Sequence, residues 1–181
     1  MYSRDRFTAE EKKKIREAIR KKYVKVAENP QGNFKYPTGA EALEKLNYDS
    51  SIISSLPESV RNLYCGVGNP FKLGTIHKGE RVLDVGCGAG VDTITAAIMA
   101  GPDGKAEGID LIGEMIEKAR ENLGKSPPVN ADFHKASAEA LPFDDEIFHV
   151  VISNGAFNLV PDKPEALGEV FRVLKPGGRF M

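Results

Sequence analysis

The 181-residue chain is long enough for one domain with a substantial core and short for two. Hydrophobic residues make up 41% of it and charged residues 28%, as in ordinary globular proteins. The 25 Lys and Arg nearly balance the 26 Asp and Glu, which excludes a global electrostatic attraction to nucleic acid. Two cysteines, Cys65 and Cys87, exclude a disulfide scaffold, so we expect reduced thiols and a cytoplasmic protein.

Positive charge is concentrated at the start of the chain, where residues 1–25 hold ten Lys or Arg against four Asp or Glu. Thr8-Ala9-Glu10-Glu11 is a capping-box sequence, and apolar side chains then recur at helical spacing until Asn29-Pro30. Such a basic helix either packs on an acidic body, which we expect, or contacts a membrane or an acidic partner. Residues 1–7 are polar, and no apolar run has membrane-spanning length, so we predict neither a signal peptide nor a membrane span.

The segment before residue 76 continues with weaker helical patterns. Residues 30–40 are predicted as an irregular linker, residues 40–46 as a weak helix and residues 50–63 as another helix. Pro57 marks either a break in that helix or a new first turn. The glycine-rich residues 65–70 follow no strong strand and form either a tight turn or a substrate-facing loop.

From Lys78 onward, short apolar strands alternate with helices. Strands are predicted at residues 82–85, 105–110, 131–135 and 147–153, and helices at residues 91–100, 114–123 and 163–174, the second helix being closed by Gly124. This alternation predicts an α/β fold: an open, mainly parallel sheet with right-handed crossovers and helices on both faces.

The last residues raise a separate question. Lys175-Pro176-Gly177-Gly178 predicts a turn into a fifth strand that begins just before the final residue. A strand there would form an exposed edge, so we expect either a truncated chain or a second copy that covers the edge in a homodimer. We divide the chain into a helical cap, residues 1–75, and an α/β core, residues 76–181, whose C-terminal part we expect to be missing.

The first core strand runs into three glycines at alternate positions, Gly86, Gly88 and Gly90, and a helix follows. Without Cβ atoms, these residues let backbone N–H groups approach a bound ligand. The spacing is G-x-G-x-G instead of the G-x-G-x-x-G that holds a pyrophosphate, and the loop contains no Lys or Arg. Asp84, just before the loop, suits a cationic ligand or braces the loop by accepting backbone hydrogen bonds. S-adenosylmethionine, an adenosine with a positive sulfonium, fits this pattern, whereas NAD does not.

Further candidate residues follow the other strands, at the edge where open α/β sheets bind ligands. Asp110 ends the second strand, where an acid accepts hydrogen bonds from ribose hydroxyls, although it equally suits a helix N-cap. Leu111 and Met115 offer apolar surface to an adenine, and Met115 fits the helix core as well. The Ser137-Ala138 turn and Asn154 complete this edge.

Four segments occur in one order along the core: VLDVGCGAG, GIDLIGEMIEKAR, ASAEALPFDDEIFHVVISN and EVFRVLKPGGRF. Together they resemble class I S-adenosylmethionine-dependent methyltransferases. The resemblance implies a Rossmann-like sheet and S-adenosylmethionine as cofactor. The cofactor-binding residues expected from pattern and resemblance are Asp84, Gly86, Cys87, Gly88, Gly90, Asp110, Leu111, Met115, Ser137, Ala138 and Asn154. Ser137 stands where this family more often has an acid that binds the adenine amino group.

The segments IRKKYVKVAE, CGVGNP and ISNGAFNLVPDK are similar to arsenite methyltransferases in particular. That resemblance implies that Tyr23 helps to cover the cofactor and that cysteine thiolates bind trivalent arsenic. Gly155 stands where the loop after the fourth strand would carry a thiol, and Cys87 lies inside the glycine loop, which leaves Cys65 as a ligand. Soft trivalent arsenic favours two or three thiolates, so a single candidate thiol leaves two alternatives open: the resemblance describes either the substrate or only the ancestry.

Methyl transfer from a sulfonium needs an aligned acceptor and a dry site, and it does not need a general base. If a base exists, Tyr23 and Asn158 are the polar groups best placed to supply it. We predict an S-adenosylmethionine-dependent methyltransferase for a small acceptor, arsenite-like or thiol, without a metal site and without nucleic-acid or membrane partners. The alternatives are a cofactor-binding module without turnover and a nicotinamide-dependent oxidoreductase.

Overall fold

The sheet is described by a computed structural model that covers residues 7–127 and 129–181. In these residues the strands are β1 (Arg81–Val85), β2 (Lys105–Asp110), β3 (Ala131–Lys135), β4 (Phe148–Ile152) and β5 (Leu174–Phe180). All neighbouring strands are parallel, in the order β3-β2-β1-β4-β5. The predicted α/β, Rossmann-like architecture is therefore confirmed.

Helices cover both faces of this sheet. They are α1 (Ala9–Glu28), α2 (Gly39–Lys45), α3 (Ser50–Ser55), α4 (Glu58–Arg61), α5 (Val91–Ala100), α6 (Gly113–Lys125) and α7 (Lys163–Val173). Successive residues of a strand point to opposite faces. Val82 accordingly packs with Ala96 and Ala97 of α5, whereas Leu83 packs with Val170 of α7.

The basic helix α1 packs against the acidic body, as the sequence predicts. The Thr8 hydroxyl accepts a hydrogen bond from the Glu11 N–H at 3.3 Å, which completes the predicted capping box. Ion pairs then join the helix to the core: Lys12 with Asp162 at 3.0 Å, Arg20 with Glu114 at 3.0 Å, and Arg16 with Glu139. The signal-peptide prediction rests on residues 1–7. Residues 1–6 lie outside the described part of the chain.

The remaining cap helices share one apolar cluster with the core. Leu43 of α2 and Val60 of α4 pack in the same cluster as Ile94 of α5 and Ile116 of α6. The division of the chain at residue 76 therefore stays a prediction. Among the helices that the structure describes, none combines the length and the apolar character that a bilayer span requires.

Residues 50–63 form two short helices, and Pro57 is the N-cap of the second, so the break predicted at Pro57 is confirmed. Other predicted boundaries are wrong. The turn predicted at residues 175–178 lies within β5, where pairing with β4 shifts register after Phe148. Helix α6 continues past Gly124 to Lys125, because a glycine in a last turn weakens a helix without breaking it.

The position of Gly124 makes a stabilising substitution available. A Cβ at Gly124 would meet no described atom within 4 Å, and its backbone is helical. We expect Gly124→Ala to raise the free energy of unfolding by about 0.5–1 kcal/mol, as measured by urea denaturation. Gly79 is the matched control: its surroundings are equally open, but its φ is +82°. Gly79→Ala should therefore lower stability, and equal effects of the two substitutions would contradict this account.

Candidate functional site

The loops after β1, β2, β3 and β4 meet at the carboxyl edge of the sheet and line a cleft that is open to solvent. Helix α1 covers one side of it. The predicted residues that line this cleft are Tyr23, Cys65, Gly86, Gly88, Asp110, Leu111, Ser137, Ala138 and Asn154. A second, smaller pocket adjoins the cleft and shares Cys65, Gly86, Gly88 and Asn154 with it. Asp84 and Cys87 line the second pocket.

The glycines of the G-x-G-x-G loop have different roles, although each has a positive φ. A Cβ at Gly86 would collide with the side chain of Ala156, and a Cβ at Gly90 would lie 2.7 Å from the Phe133 ring. A Cβ at Gly88 would meet no atom of the described chain within 4 Å. Of the three glycines, only Gly88 therefore faces open space. Gly90 lies against Phe133 and lines neither of the two pockets, and its contact with a cofactor stays a prediction.

The Asp110 carboxylate lines the cleft and is held there by backbone N–H groups. Its Oδ2 accepts a hydrogen bond from Gly88 at 3.0 Å, and its Oδ1 accepts one from Ile112 at 2.9 Å. Burial raises the pKa of Asp110, although these two N–H groups lower it in part. The side chain thus braces the glycine loop and caps the turn into α6, while it lines the cleft.

Two buried carboxyl groups line the second pocket. Asp84 accepts a hydrogen bond from the Thr93 hydroxyl at 2.7 Å, and burial together with the nearby Asp92 raises its pKa. Burial raises the pKa of Asp92 to about 6, although hydrogen bonds from Asn154 and Tyr48 lower it in part. Two adjoining buried carboxyl groups favour a cationic ligand, because each ionised form lacks a compensating positive charge.

These carboxyl groups set the dependence of stability on pH. Since the folded chain binds the Asp92 proton more tightly than the unfolded chain does, lowering the pH favours folding. We expect Asp92 to add about 1 kcal/mol to the free energy of unfolding between about pH 7 and about pH 5. The raised pKa values of Asp84 and Asp110 act in the same direction. Thermal melts of the protein without ligand measure the effect; Asp92→Asn should flatten the slope, and a slope of opposite sign would contradict the assignment.

Asn154 holds the 65–70 loop against the core through hydrogen bonds. Its Oδ1 accepts hydrogen bonds from the N–H groups of Val67 at 2.9 Å and Gly68 at 3.0 Å. Cys65 of the same loop lines the cleft, so the loop faces the site rather than serving only as a turn. The Asn154 amide oxygen therefore bonds to the loop, although the residue borders both pockets.

The amide nitrogen of Asn154, Nδ2, contacts residues that the sequence analysis missed. Nδ2 lies within 2.8–3.2 Å of four acceptors: the hydroxyls of Tyr48 and Tyr64, the carbonyl of Gly68 and the carboxylate of Asp92. Asp92, in the first turn after the glycine loop, was detectable as an acid within an otherwise apolar helix. The tyrosines carry no local signal.

Glu139 belongs to the turn that the sequence places at the ligand-binding edge, but its contacts are not predictable from the sequence. It follows the Ser137-Ala138 turn, and its Oε1 accepts a hydrogen bond from the Asp162 N–H at 2.9 Å. Its Oε2 bonds to Ser137 at 3.2 Å and pairs with Arg16 of α1. Glu139 thus joins α1, the turn after β3 and the loop after β4 at the rim of the cleft.

Other predicted residues lie outside the cleft. Met115 is 1% exposed and packs with Val26 between α1 and α6, which is the helix-core position that the sequence had left open; its contact with a cofactor stays a prediction. Asn158 is exposed, and its carbonyl is 3.4 Å from the Lys163 ammonium, so it is not placed to act as a base in the cleft. Cys87 is buried and borders only the second pocket.

Tyr23 and Cys65 remain as candidates for the acceptor side of the cleft. Burial raises the pKa of Tyr23, and burial raises the pKa of Cys65 to about 12. The Cys65 thiol is therefore protonated at neutral pH. Gly155 lines the cleft without a thiol, and in the part of the chain that is described no three His, Cys, Asp or Glu side chains form a metal site.

Comparisons with known proteins agree on one family. A family model described as a methyltransferase domain matches residues 76–181. The arsenite methyltransferase of Halobacterium salinarum is 38% identical over 178 residues, which cover 91% of this chain and 45% of that protein. The demethylmenaquinone methyltransferase of Symbiobacterium thermophilum is 39% identical over 104 residues, 57% of this chain and 41% of that protein.

Solved structures lead to the same group. An arsenic(III) S-adenosylmethionine methyltransferase from Chlamydomonas reinhardtii matches with a TM-score of 0.60 and 30% identity, over 80% of this chain and 48% of that chain. An S-adenosylmethionine-dependent methyltransferase from Aquifex aeolicus matches with a TM-score of 0.56 and 28% identity, over 77% of this chain and 69% of that chain. The chain spans less than half the length of the curated relatives it matches.

Proposed function

The chain belongs to the methyltransferase-domain family, and we propose that it binds S-adenosylmethionine and transfers the methyl group to a small acceptor. The observation that carries the proposal is the Asp110 carboxylate, which lines the cleft and accepts a hydrogen bond at 3.0 Å from Gly88 of the G-x-G-x-G loop. An acid at this strand end suits ribose hydroxyls, and a loop without Lys or Arg does not suit a diphosphate.

In this proposal the two ends of the cofactor lie in different pockets. The adenosine lies in the larger cleft, with its ribose at Asp110 and apolar contacts from Leu111. The charged amino-acid end lies in the second pocket, where the buried carboxyl groups of Asp84 and Asp92 favour positive charge. Gly86 and Gly88 border both pockets, so their backbone lies between the two ends.

The residues of the chain act by alignment and by exclusion of water. When bound, S-adenosylmethionine supplies the activated methyl group. Alignment alone can lower a barrier by roughly 7–11 kcal/mol, so no general base is required. Tyr23 of α1 lines the cleft, and the pair of Arg16 with Glu139 holds that helix over it.

The acceptor in this proposal is small and nucleophilic, either a thiol or an arsenite-like metalloid. The similarity to an arsenite methyltransferase over 91% of the chain favours the metalloid. The cleft offers only the protonated Cys65 thiol, because Gly155 stands in the loop after β4. A metalloid acceptor would therefore have to bring its own thiol ligands.

Calorimetric titration with S-adenosylhomocysteine and with NADH tests the cofactor proposal. We expect binding of the first and none of the second; the reverse result would favour a nicotinamide-dependent oxidoreductase. Methyl transfer to arsenite is then assayed with and without an added dithiol. Cofactor binding without transfer to arsenite, to its thiol complex or to the dithiol would favour a binding module without turnover.

The finer predictions on location and assembly stay proposals. The two unpaired cysteines support a reducing, cytoplasmic location, and the balanced charge supports the absence of a nucleic-acid partner. A homodimer that covers β5 is supported by exposed apolar side chains nearby, since Phe171 is 83% and Phe180 43% exposed. Light scattering of the chain and of Phe171→Glu tests it; a monomeric chain would contradict it.

A further inference from the structure

A buried hydrogen-bond network joins the cap to the proposed cofactor site. The Asp92 carboxylate shares its two oxygens: Oδ1 accepts from the Tyr48 hydroxyl at 2.7 Å, and Oδ2 accepts from Asn154 Nδ2 at 2.9 Å. The Tyr64 hydroxyl donates to the Gly68 carbonyl at 2.6 Å. Tyr48 and Asp92 are each 7% exposed, so these bonds form away from water, where a missing partner is costly.

The carboxylate fixes which way the Asn154 amide points. With Nδ2 directed at Asp92, Oδ1 is directed at the N–H groups of Val67 and Gly68. The flipped amide would place Oδ1 against a carboxylate oxygen and Nδ2 against two N–H donors, so every one of these hydrogen bonds would be lost. The orientation of a single amide thus determines where the 65–70 loop lies.

The same network forms a wall of the second pocket. Tyr64, Gly66, Asp92 and Asn154 line this pocket together with Gly88. A Cβ at Gly66 would lie 2.5 Å from the Tyr64 hydroxyl and would also collide with the Asn154 amide. The loop is therefore in tight contact with the network, and its displacement would open the pocket on this side.

We propose that Asp92 and Tyr48 are positioning residues for the cofactor, which act through Asn154 to hold the 65–70 loop as the wall of the second pocket. They set the affinity for the amino-acid end of the cofactor, whereas the ribose site at Asp110 is held by the N–H groups of Gly88 and Ile112 and not by the 65–70 loop. This inference rests on the proposed function, because it assumes that the adenosine lies at Asp110 and the amino-acid end in the second pocket.

Conservative substitutions separate this role from general stability. In Asp92→Asn the side chain keeps its shape, but it presents one acceptor and one amino group to two donors, so the Asn154 amide loses its fixed orientation. Tyr48→Phe removes only the hydroxyl that donates to Asp92. It keeps the Asp92 carboxyl group, which lines the second pocket itself, so this variant separates positioning from the loss of that charge. Leu123→Ala is the control for lost stability: it truncates a partly buried core side chain and leaves the network intact.

The experiment compares two ligands on the full chain by calorimetry. S-adenosylhomocysteine has the amino-acid end, and 5′-methylthioadenosine lacks it. In Asp92→Asn and Tyr48→Phe we expect the affinity for S-adenosylhomocysteine to fall about tenfold or more, while that for 5′-methylthioadenosine changes less than about twofold. Leu123→Ala should lower the melting temperature without changing the ratio of the two affinities.

Each other outcome decides a different question. Equal losses for both ligands, or no loss for either, would overturn the positioning role while leaving the proposed function in place. If the unmodified chain binds neither ligand, the proposed function fails and the inference fails with it.

Discussion

Replacing Asp110 by alanine is expected to abolish measurable binding of S-adenosylhomocysteine. Two ribose hydroxyls would each lose a hydrogen bond to a charged acceptor, worth about 1.5–3 kcal/mol. Together they amount to roughly 3–6 kcal/mol, or a loss of about 10²–10⁴-fold in affinity. The Gly88 N–H also loses its partner, so the glycine loop is less well held. Calorimetric titration at micromolar ligand measures the change.

Two further variants separate the ribose contact from bracing of the loop. Asp110→Asn keeps an oxygen that can accept from one N–H, and it should bind with intermediate affinity. Asp103→Ala removes an exposed acid in the turn between α5 and β2, and it should bind as the unmodified chain does. An unchanged affinity in Asp110→Ala would contradict the assignment of the site.

The parts of this site that could be predicted from sequence are those that rest on local patterns. Asp110 was detectable because a strand, a glycine loop and a second strand occur in order, and parallel strands place their carboxyl ends at one edge. The capping box at Thr8 is equally local and forms as predicted. Each of these features depends on residues within one helix terminus or within one β-α-β unit.

The parts that could not be predicted depend on contacts between distant residues. Asn154 meets Tyr48 across 106 positions, and Arg16 meets Glu139 across 123 positions. No spacing rule connects such residues; only the packing of the cap on the core brings them together. The exposed position of Asn158 likewise follows from the path of the loop after β4.

The glycine loop shows this limit within a single motif. Gly86, Gly88 and Gly90 are the same residue type with the same sign of φ, so the sequence assigns them one role. Their surroundings differ because Ala156 packs on the first and Phe133 on the third. Tertiary contacts therefore determine which glycine is needed for folding and which faces the ligand.

Gly86→Ala should therefore mainly lower stability, whereas Gly88→Ala should mainly weaken cofactor binding. At Gly86 the new Cβ collides with Ala156 at a φ of +79°, so we expect the free energy of unfolding to fall by roughly 2–6 kcal/mol. At Gly88, φ is +52° and no described atom lies within 4 Å of the new Cβ, so the cost to folding should be only about 1–2 kcal/mol. The added methyl group would occupy space where the cofactor backbone contact is proposed, and binding should weaken by about 100-fold or more.

A double variant tests the cause at Gly86 directly. Adding Ala156→Gly to Gly86→Ala removes the colliding methyl group but keeps the unfavourable φ, so part of the lost stability should return. The cycle of the two single variants and the double variant, measured by urea denaturation, gives this interaction energy. Additive losses would show that backbone strain alone destabilises Gly86→Ala. A Gly88→Ala variant that unfolds as readily as Gly86→Ala, or binds S-adenosylhomocysteine normally, would contradict the division of roles, because only a glycine that faces the ligand separates binding from folding.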